Sequence, residues 1–251
     1  MLTSATDLIG QGWSNYRRYW RHFLPYLILL TLTGIVVFLA GYIGIEIELR
    51  LKANRLINDL IIFLVYITSL VFSLWITTGI VQTAAAAWTG QTPLGWKETL
   101  TNNSRLIFPL IINSILVTLL IALGSILFVI PGIIFFVWYN FTSYAIILDN
   151  KNWKNSFSAS KSLVVGRWWK IAWRILVTIV VYAIISTIIQ LIIMTVLGYA
   201  KGISTTTLGI VNSSLASLFN IIITPALITS LVGLYINAKE TPTVNTPPPT
   251  I

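Results

Sequence analysis

Between Leu106 and Leu148 the chain carries no charged residue. A single helix over that stretch would be roughly 64 Å long, about twice the ~30 Å hydrocarbon thickness of a bilayer. The run must therefore fold back on itself. Pro131-Gly132 is the one strong breaker pair inside it. Proline lacks an N–H and is tolerated in the first turn of a helix, and glycine relaxes the backbone. The sequence predicts a transmembrane hairpin with arms at 106–129 and 132–148 and a tight turn at Pro131-Gly132.

Four more apolar stretches have span length, at 23–45, 56–81, 171–197 and 208–237. The expected fold is all-α and polytopic: six transmembrane helices arranged as three hairpins, each preceded by a cytoplasmic interfacial amphipathic helix. Composition agrees, with 56% hydrophobic and only 9% charged residues against about 25% charged in soluble domains. The membrane domain is placed at 1–238. Residues 239–251, "KETPTVNTPPPTI", read as a disordered Pro-rich tail. Residues 1–22 do not read as a secretory signal. Arg17, Arg18 and Arg21 come late, the apolar run after them is span length, and no small-residue cleavage site follows.

Charge orients the spans. With the N-terminus inside, the inner face holds Arg17, Arg18, Arg21, Lys97, Arg105, Lys151, Lys154, Lys161, Arg167, Lys170, Arg174 and Lys239, and the outer face holds Arg50, Lys52, Arg55 and Lys201. Both termini are expected to be cytoplasmic. The net charge of +9 then points to anionic lipid headgroups, since the bases flank apolar spans. No nucleic-acid-binding motif accompanies them.

Three inner segments share a plan of Trp, bases and then an odd-numbered span: "GWSNYRRYWRHFLPYLILL" (12–30), "GWKETLTNNSRLIFPLIINSIL" (95–116) and "NWKNSFSASKSLVVGRWWKIAWRIL" (152–176). They read as three copies of an interfacial helix followed by a hairpin, although shared interface composition would produce a similar pattern. In the first copy Ile9, Trp13, Tyr16, Trp20 and Phe23 fall on one helical face, with Arg17, Arg18 and Arg21 on the other side. That suits a helix lying in the headgroup layer. The third copy is the most charged. Trp153, Lys161, Arg167, Trp168, Trp169, Lys170 and Arg174 form a candidate collar for lipid or a protein partner. Simple interfacial anchoring explains the same residue types.

The stretch "IPGIIFFVWYNFTSYAIILDNKNWKNSFSASKSLVVGRWWKI" (130–171) resembles the signature of a bacterial family. That family comprises the six-span membrane domain attached to some glycerophosphoryl diester phosphodiesterases and related stand-alone inner-membrane proteins. Pro131, Gly132 and Ile133 match its turn, Asp149 its acid, and Ser160, Leu163, Gly166, Arg167, Trp168 and Trp169 the remainder. Relatives often carry an arginine in the span after the turn, but 133–148 has no base. The resemblance implies a bacterial inner-membrane location and a six-span fold more than an activity. Phosphodiesterase chemistry belongs to a separate soluble barrel rich in His and acids and is not expected here.

Catalytic and metal chemistry find little to work with. There is no cysteine, His22 is the only histidine, and seven acids are spread over 251 residues. No catalytic, cofactor-binding or metal residues are assigned, and no cofactor is expected. Asn113, Asn140, Gln190 and Asn220 lie within spans and should hydrogen-bond between helices; Pro225 should kink span six. No ionisable residue falls near a bilayer centre, unlike the usual ion-coupled transporter. The expected role is non-enzymatic: organising anionic phospholipid, or scaffolding a protein partner or homo-oligomer at the membrane. The alternative is a transporter or permease subunit with a water-filled path lined by the four amides. A lipid enzyme fits worst, since only Asp149 near Lys151 or Arg167 could begin an acid–base pair.

Overall fold

The computed structural model describes residues 2–51, 55–199 and 204–241. Lys52, Lys201 and the tail from 242 onward lie outside the described residues, as does the side chain of Arg50. Among the described residues there is no strand. Among those residues six helical segments are long and apolar enough to cross a membrane, so the chain is an all-α polytopic membrane protein.

The first copy comprises α1 (Ala5–Arg18), α2 (Trp20–Leu51) and α3 (Arg55–Thr89). The second comprises α4 (Trp96–Asn103), a 3-10 turn at Ser104–Leu106, α5 (Ile107–Leu127), α6 (Val129–Tyr139) and α7 (Thr142–Asp149). The third comprises α8 (Trp153–Val164), α9 (Trp168–Gly198) and α10 (Thr205–Glu240). Side-chain caps start one helix in the first copy and two in the third: Ser4 accepts from the Asp7 N–H at 3.1 Å, Asn152 from Asn155 at 2.8 Å, and Ser204 from Thr207 at 3.2 Å.

The long helices pair as hairpins, α2 with α3, α5 with α6 and α9 with α10. The short ones dock in a cycle. α4 packs on α3, α8 on α6 and α7, and α1 on α10. Each interfacial helix therefore leans on the closing arm of the preceding copy, and the first leans on the closing arm of the last.

Burial follows this plan. The core collects where the short helices meet the hairpin ends: Leu8, Phe23, Tyr26, Ile76, Ile80, Leu100, Ile146 and Tyr235 are all buried. The far halves of the spans expose Ile35, Phe38, Phe63, Leu64, Leu123, Leu191 and Ile192, the surface that acyl chains cover. At 1.5 Å per residue α3 is about 52 Å long, well beyond a ~30 Å hydrocarbon core. Its 76–87 end is enclosed by protein, and this is the end that projects into the collar.

Four expectations are corrected. The turn of the middle hairpin sits at Phe128, an extended residue with φ −160° and ψ 149°, not at Pro131-Gly132. Pro131 occupies the third position of α6, where its missing N–H has no intrahelical partner to lose. Gly132 serves a close approach: a Cβ there would meet the backbone and hydroxyl of Ser125 on α5. Span four is not one helix, because it breaks at Asn140-Phe141 between α6 and α7. The aromatic face drawn from Ile9 to Phe23 is interrupted at Tyr19. The face α1 buries is Leu8, Gly12 and Tyr16, while Trp13 and Trp20 are exposed, so α1 packs on protein as well as facing the interface. Lastly, α10 extends to Glu240, taking Lys239 and Glu240, the first residues assigned to the tail, into the helix.

Candidate functional site

The collar is built around the break in span four. α8 reverses along α7 after Asn150, whose left-handed conformation (φ 50°) ends α7 with the Lys151 N–H on the Ala145 carbonyl at 3.2 Å. The reversal brings Ser160 to the break. Its hydroxyl donates to the Trp138 carbonyl at 2.6 Å and accepts from the Phe141 N–H at 3.1 Å. Thr142 satisfies the Tyr139 carbonyl at 2.8 Å. Irregular backbone at membrane depth survives only with such internal partners. α8 ends at Val164, and Gly166, with φ 81°, redirects the chain into α9.

The seven collar residues divide into two groups. Arg167 is only 9% exposed. Its guanidinium donates to the Leu163 carbonyl at 2.7 Å, to the Ala238 and Thr241 carbonyls and to the Thr241 hydroxyl at 3.2 Å. Burial lowers its pKa from the ordinary guanidinium value, yet it stays charged. Arg174 donates to the carbonyls of Thr3 at 2.6 Å, Leu2 at 3.0 Å and Lys170 at 2.7 Å. Arg167 thus holds the end of α10, and Arg174 holds the segment that precedes α1. The Thr3 N–H completes that junction on Asn237 Oδ1 at 2.8 Å.

The other five face outward or sideways. Trp169 is 79% exposed and Lys170 is exposed. Trp168 is half-buried, meets Trp169 edge-on at 4.7 Å and leaves its indole N–H without a partner. Lys161 lies over the Trp138 ring at 4.5 Å. Trp153 is half-buried beneath the Lys154 ammonium at 5.3 Å. Sequence reasoning passed over two matching features. Lys97 lies over Trp96 at 5.5 Å at the start of α4, and Arg21 over Trp20 at 5.9 Å. The adjacent Trp-Lys and Trp-Arg pairs were the available signal.

Asp149 meets neither Lys151 nor Arg167. Lys239 Nζ donates to its Oδ1 and the Tyr235 hydroxyl to its Oδ2, both at 2.8 Å. The i, i+4 placement of Tyr235 and Lys239 on α10 was legible, but their distance of about ninety positions from Asp149 hid the pairing. This group rims a cavity of about 510 Å³ between the ends of α3, α7 and α10, lined also by Gln82, Thr83, Thr89 and Thr99. The Tyr26 hydroxyl, buried without a well-formed hydrogen bond, stands beside Thr83 and Thr99.

The span amides do not converge. Asn113 donates to Ser143 at 3.2 Å across α5 and α7. Asn220 accepts from Ser186 at 2.5 Å across α10 and α9. Asn140 sits at the break with its carbonyl oxygen unpaired, and Gln190 is exposed. None of the four lines the cavity above. Among the described residues no three His, Asp or Glu side chains gather as a metal site would require. No protein-family model matches the chain, no curated protein is detectably similar to it, and no solved structure matches its fold.

Proposed function

We propose that this is a non-enzymatic, multi-pass protein of a bacterial inner membrane, with both termini cytoplasmic, whose collar engages anionic phospholipid headgroups. The resemblance of 130–171 to the glycerophosphoryl diester phosphodiesterase membrane-domain family supports this location. The carrying observation is the surface left once Arg167 and Arg174 are assigned to backbone carbonyls. Exposed bases, Arg17, Arg18, Lys97, Lys154, Lys161 and Lys170, stand beside exposed Trp13, Trp20, Trp96, Trp169 and Trp173. Each such base near an anionic leaflet contributes about 1 kcal/mol, and tryptophan prefers the headgroup depth.

The test is native mass spectrometry of the protein released gently from its own membrane. Selective retention of anionic phospholipid is expected, and it should fall when Lys161 and Lys170 are replaced by Gln. Unselective retention would remove the lipid reading. A stoichiometric protein partner in its place would make the protein a scaffold.

The cavity rimmed by Asp149 favours a second reading, a transporter or permease subunit. Because the chain has no cysteine, a Thr83→Cys variant isolates that position. Labelling by an impermeant thiol reagent from the face opposite the collar would support a through-path, and labelling from the collar face alone would mark a closed vestibule.

A further inference from the structure

Two of the interfacial helices carry the same eight-residue element. α4 reads "WKETLTNN" (96–103) and α8 begins "WKNSFSAS" (153–160). Trp-Lys opens both, hydroxyl residues occupy the fourth and sixth places, and a small polar residue closes each. The fourth and eighth residues are buried in both: Thr99 and Asn103, Ser156 and Ser160. The eighth docks on the closing arm of the preceding copy. Asn103 donates to the Thr78 hydroxyl at 3.0 Å and accepts from Gln82 at 2.8 Å, as Ser160 bridges Trp138 and Phe141.

The fourth and eighth places are buried against the protein, whereas the lysine at the second place of each element is exposed. Yet the first two are identical in sequence and alike in geometry, with the lysine ammonium 5.5 Å from the Trp96 ring centre in one and 5.3 Å from the Trp153 ring centre in the other. Lys97 and Lys154 are exposed and form no ion pair among the described residues, even though Glu98 adjoins Lys97. A ring at headgroup depth that carries a cation on its face holds that cation where lipid phosphates lie.

We infer that Trp96-Lys97 and Trp153-Lys154 are two equivalent contact sites for the phosphodiester of an anionic membrane lipid, one at the entrance to each of the last two hairpins. The inference rests on the lipid reading above and defines two discrete contact sites within it. The first copy lacks the element. α1 has Ser14 after Trp13 and docks instead through Gly12 against Ser230, and the stacked pair of that copy, Trp20-Arg21 at 5.9 Å, opens the span α2 and not the interfacial helix, so two such sites are expected and not three.

The experiment counts anionic phospholipids retained by the full-length protein in native mass spectrometry after gentle release. Lys97→Gln and Lys154→Gln should each retain one lipid fewer than the wild type, and the double variant two fewer. Lys151→Gln, which removes an exposed, unstacked base, should lose none. Lys→Arg at both positions keeps the cations and should restore the wild-type count with the same melting temperature. A double variant that keeps the wild-type count overturns the inference while leaving the lipid reading in place. So does a Lys151→Gln variant that loses as many lipids as Lys97→Gln. A wild type that retains no anionic lipid overturns both.

Discussion

Arg167 and Ala238 lie 71 positions apart, and the guanidinium of the first donates to the carbonyl of the second. Together with the bonds to Thr241, this makes Arg167 the C-terminal cap of α10. The last carbonyls of a helix have no intrahelical donor and carry its negative dipole end, so a buried cation answers both needs. Arg167→Gln should lower stability by about 2–4 kcal/mol, since hydrogen bonds to a charged group contribute roughly 1.5–3 kcal/mol each and are not additive. Arg167→Lys should recover little, because an ammonium cannot reproduce the fork. Thermal unfolding of the purified protein in detergent measures both, and a lysine variant as stable as the wild type would show that charge alone matters there.

Ser160→Ala should cost about 1–3 kcal/mol by stranding the Phe141 N–H and the Trp138 carbonyl in a buried break. The loss should also be local. Amide exchange at 138–144 should accelerate before the flanking α5 changes, whereas uniform acceleration would mean that the break is not held by this hydroxyl.

The number of spans was legible because length and hydropathy are local properties. The interruption of 106–148 needed nothing beyond the arithmetic of helix rise. The exact turn was not legible. Pro131 fits a first helical turn as well as it fits a reversal, and only the approach of Gly132 to Ser125 separates the two. The break at Asn140-Phe141 is stabilised by a serine twenty residues later, so nothing within 132–148 announces it. The collar arginines were visible as charges, but a guanidinium bound to phosphate and one bound to backbone carbonyls have the same sequence signature. Arg174 reaches Leu2 and Thr3 only because the cycle of docked helices brings the chain's start to the foot of α9.

That cycle can be opened at one contact. A Cβ on Gly12 would fall 2.9 Å from Ser230 Cα and 3.0 Å from its Cβ, backbone and side-chain atoms of α10 with little room to move. Gly12→Val should destabilise by about 1–3 kcal/mol through overpacking, and the effect should concentrate in α1. Limited proteolysis should cut within residues 2–18 of the variant under conditions that leave the wild type intact. A variant that melts earlier without exposing that segment would mean α1 stays docked and the strain is absorbed in α10.

The Asp149–Lys239 pair should behave in the opposite way. It is the ion pair that joins α7 to α10, at 2.8 Å, but the lysine side chain is 46% exposed and the carboxylate 18%. Pairs so open to water contribute about 0–1 kcal/mol. Lys239→Gln should therefore change stability by less than about 1 kcal/mol, and most of that should vanish in high salt. Asp149→Asn keeps an oxygen for the Tyr235 hydroxyl and should cost no more. Asp149→Leu strands the Tyr235 hydroxyl, which is buried against Phe141 and Tyr144, and should cost about 1–3 kcal/mol. A double-mutant cycle on Asp149→Asn and Lys239→Gln separates the two contributions. A coupling well above 1 kcal/mol would show that the cavity rim is drier than its exposure implies, and the carboxylate would then hold α10 against α7 by charge as much as by the tyrosine.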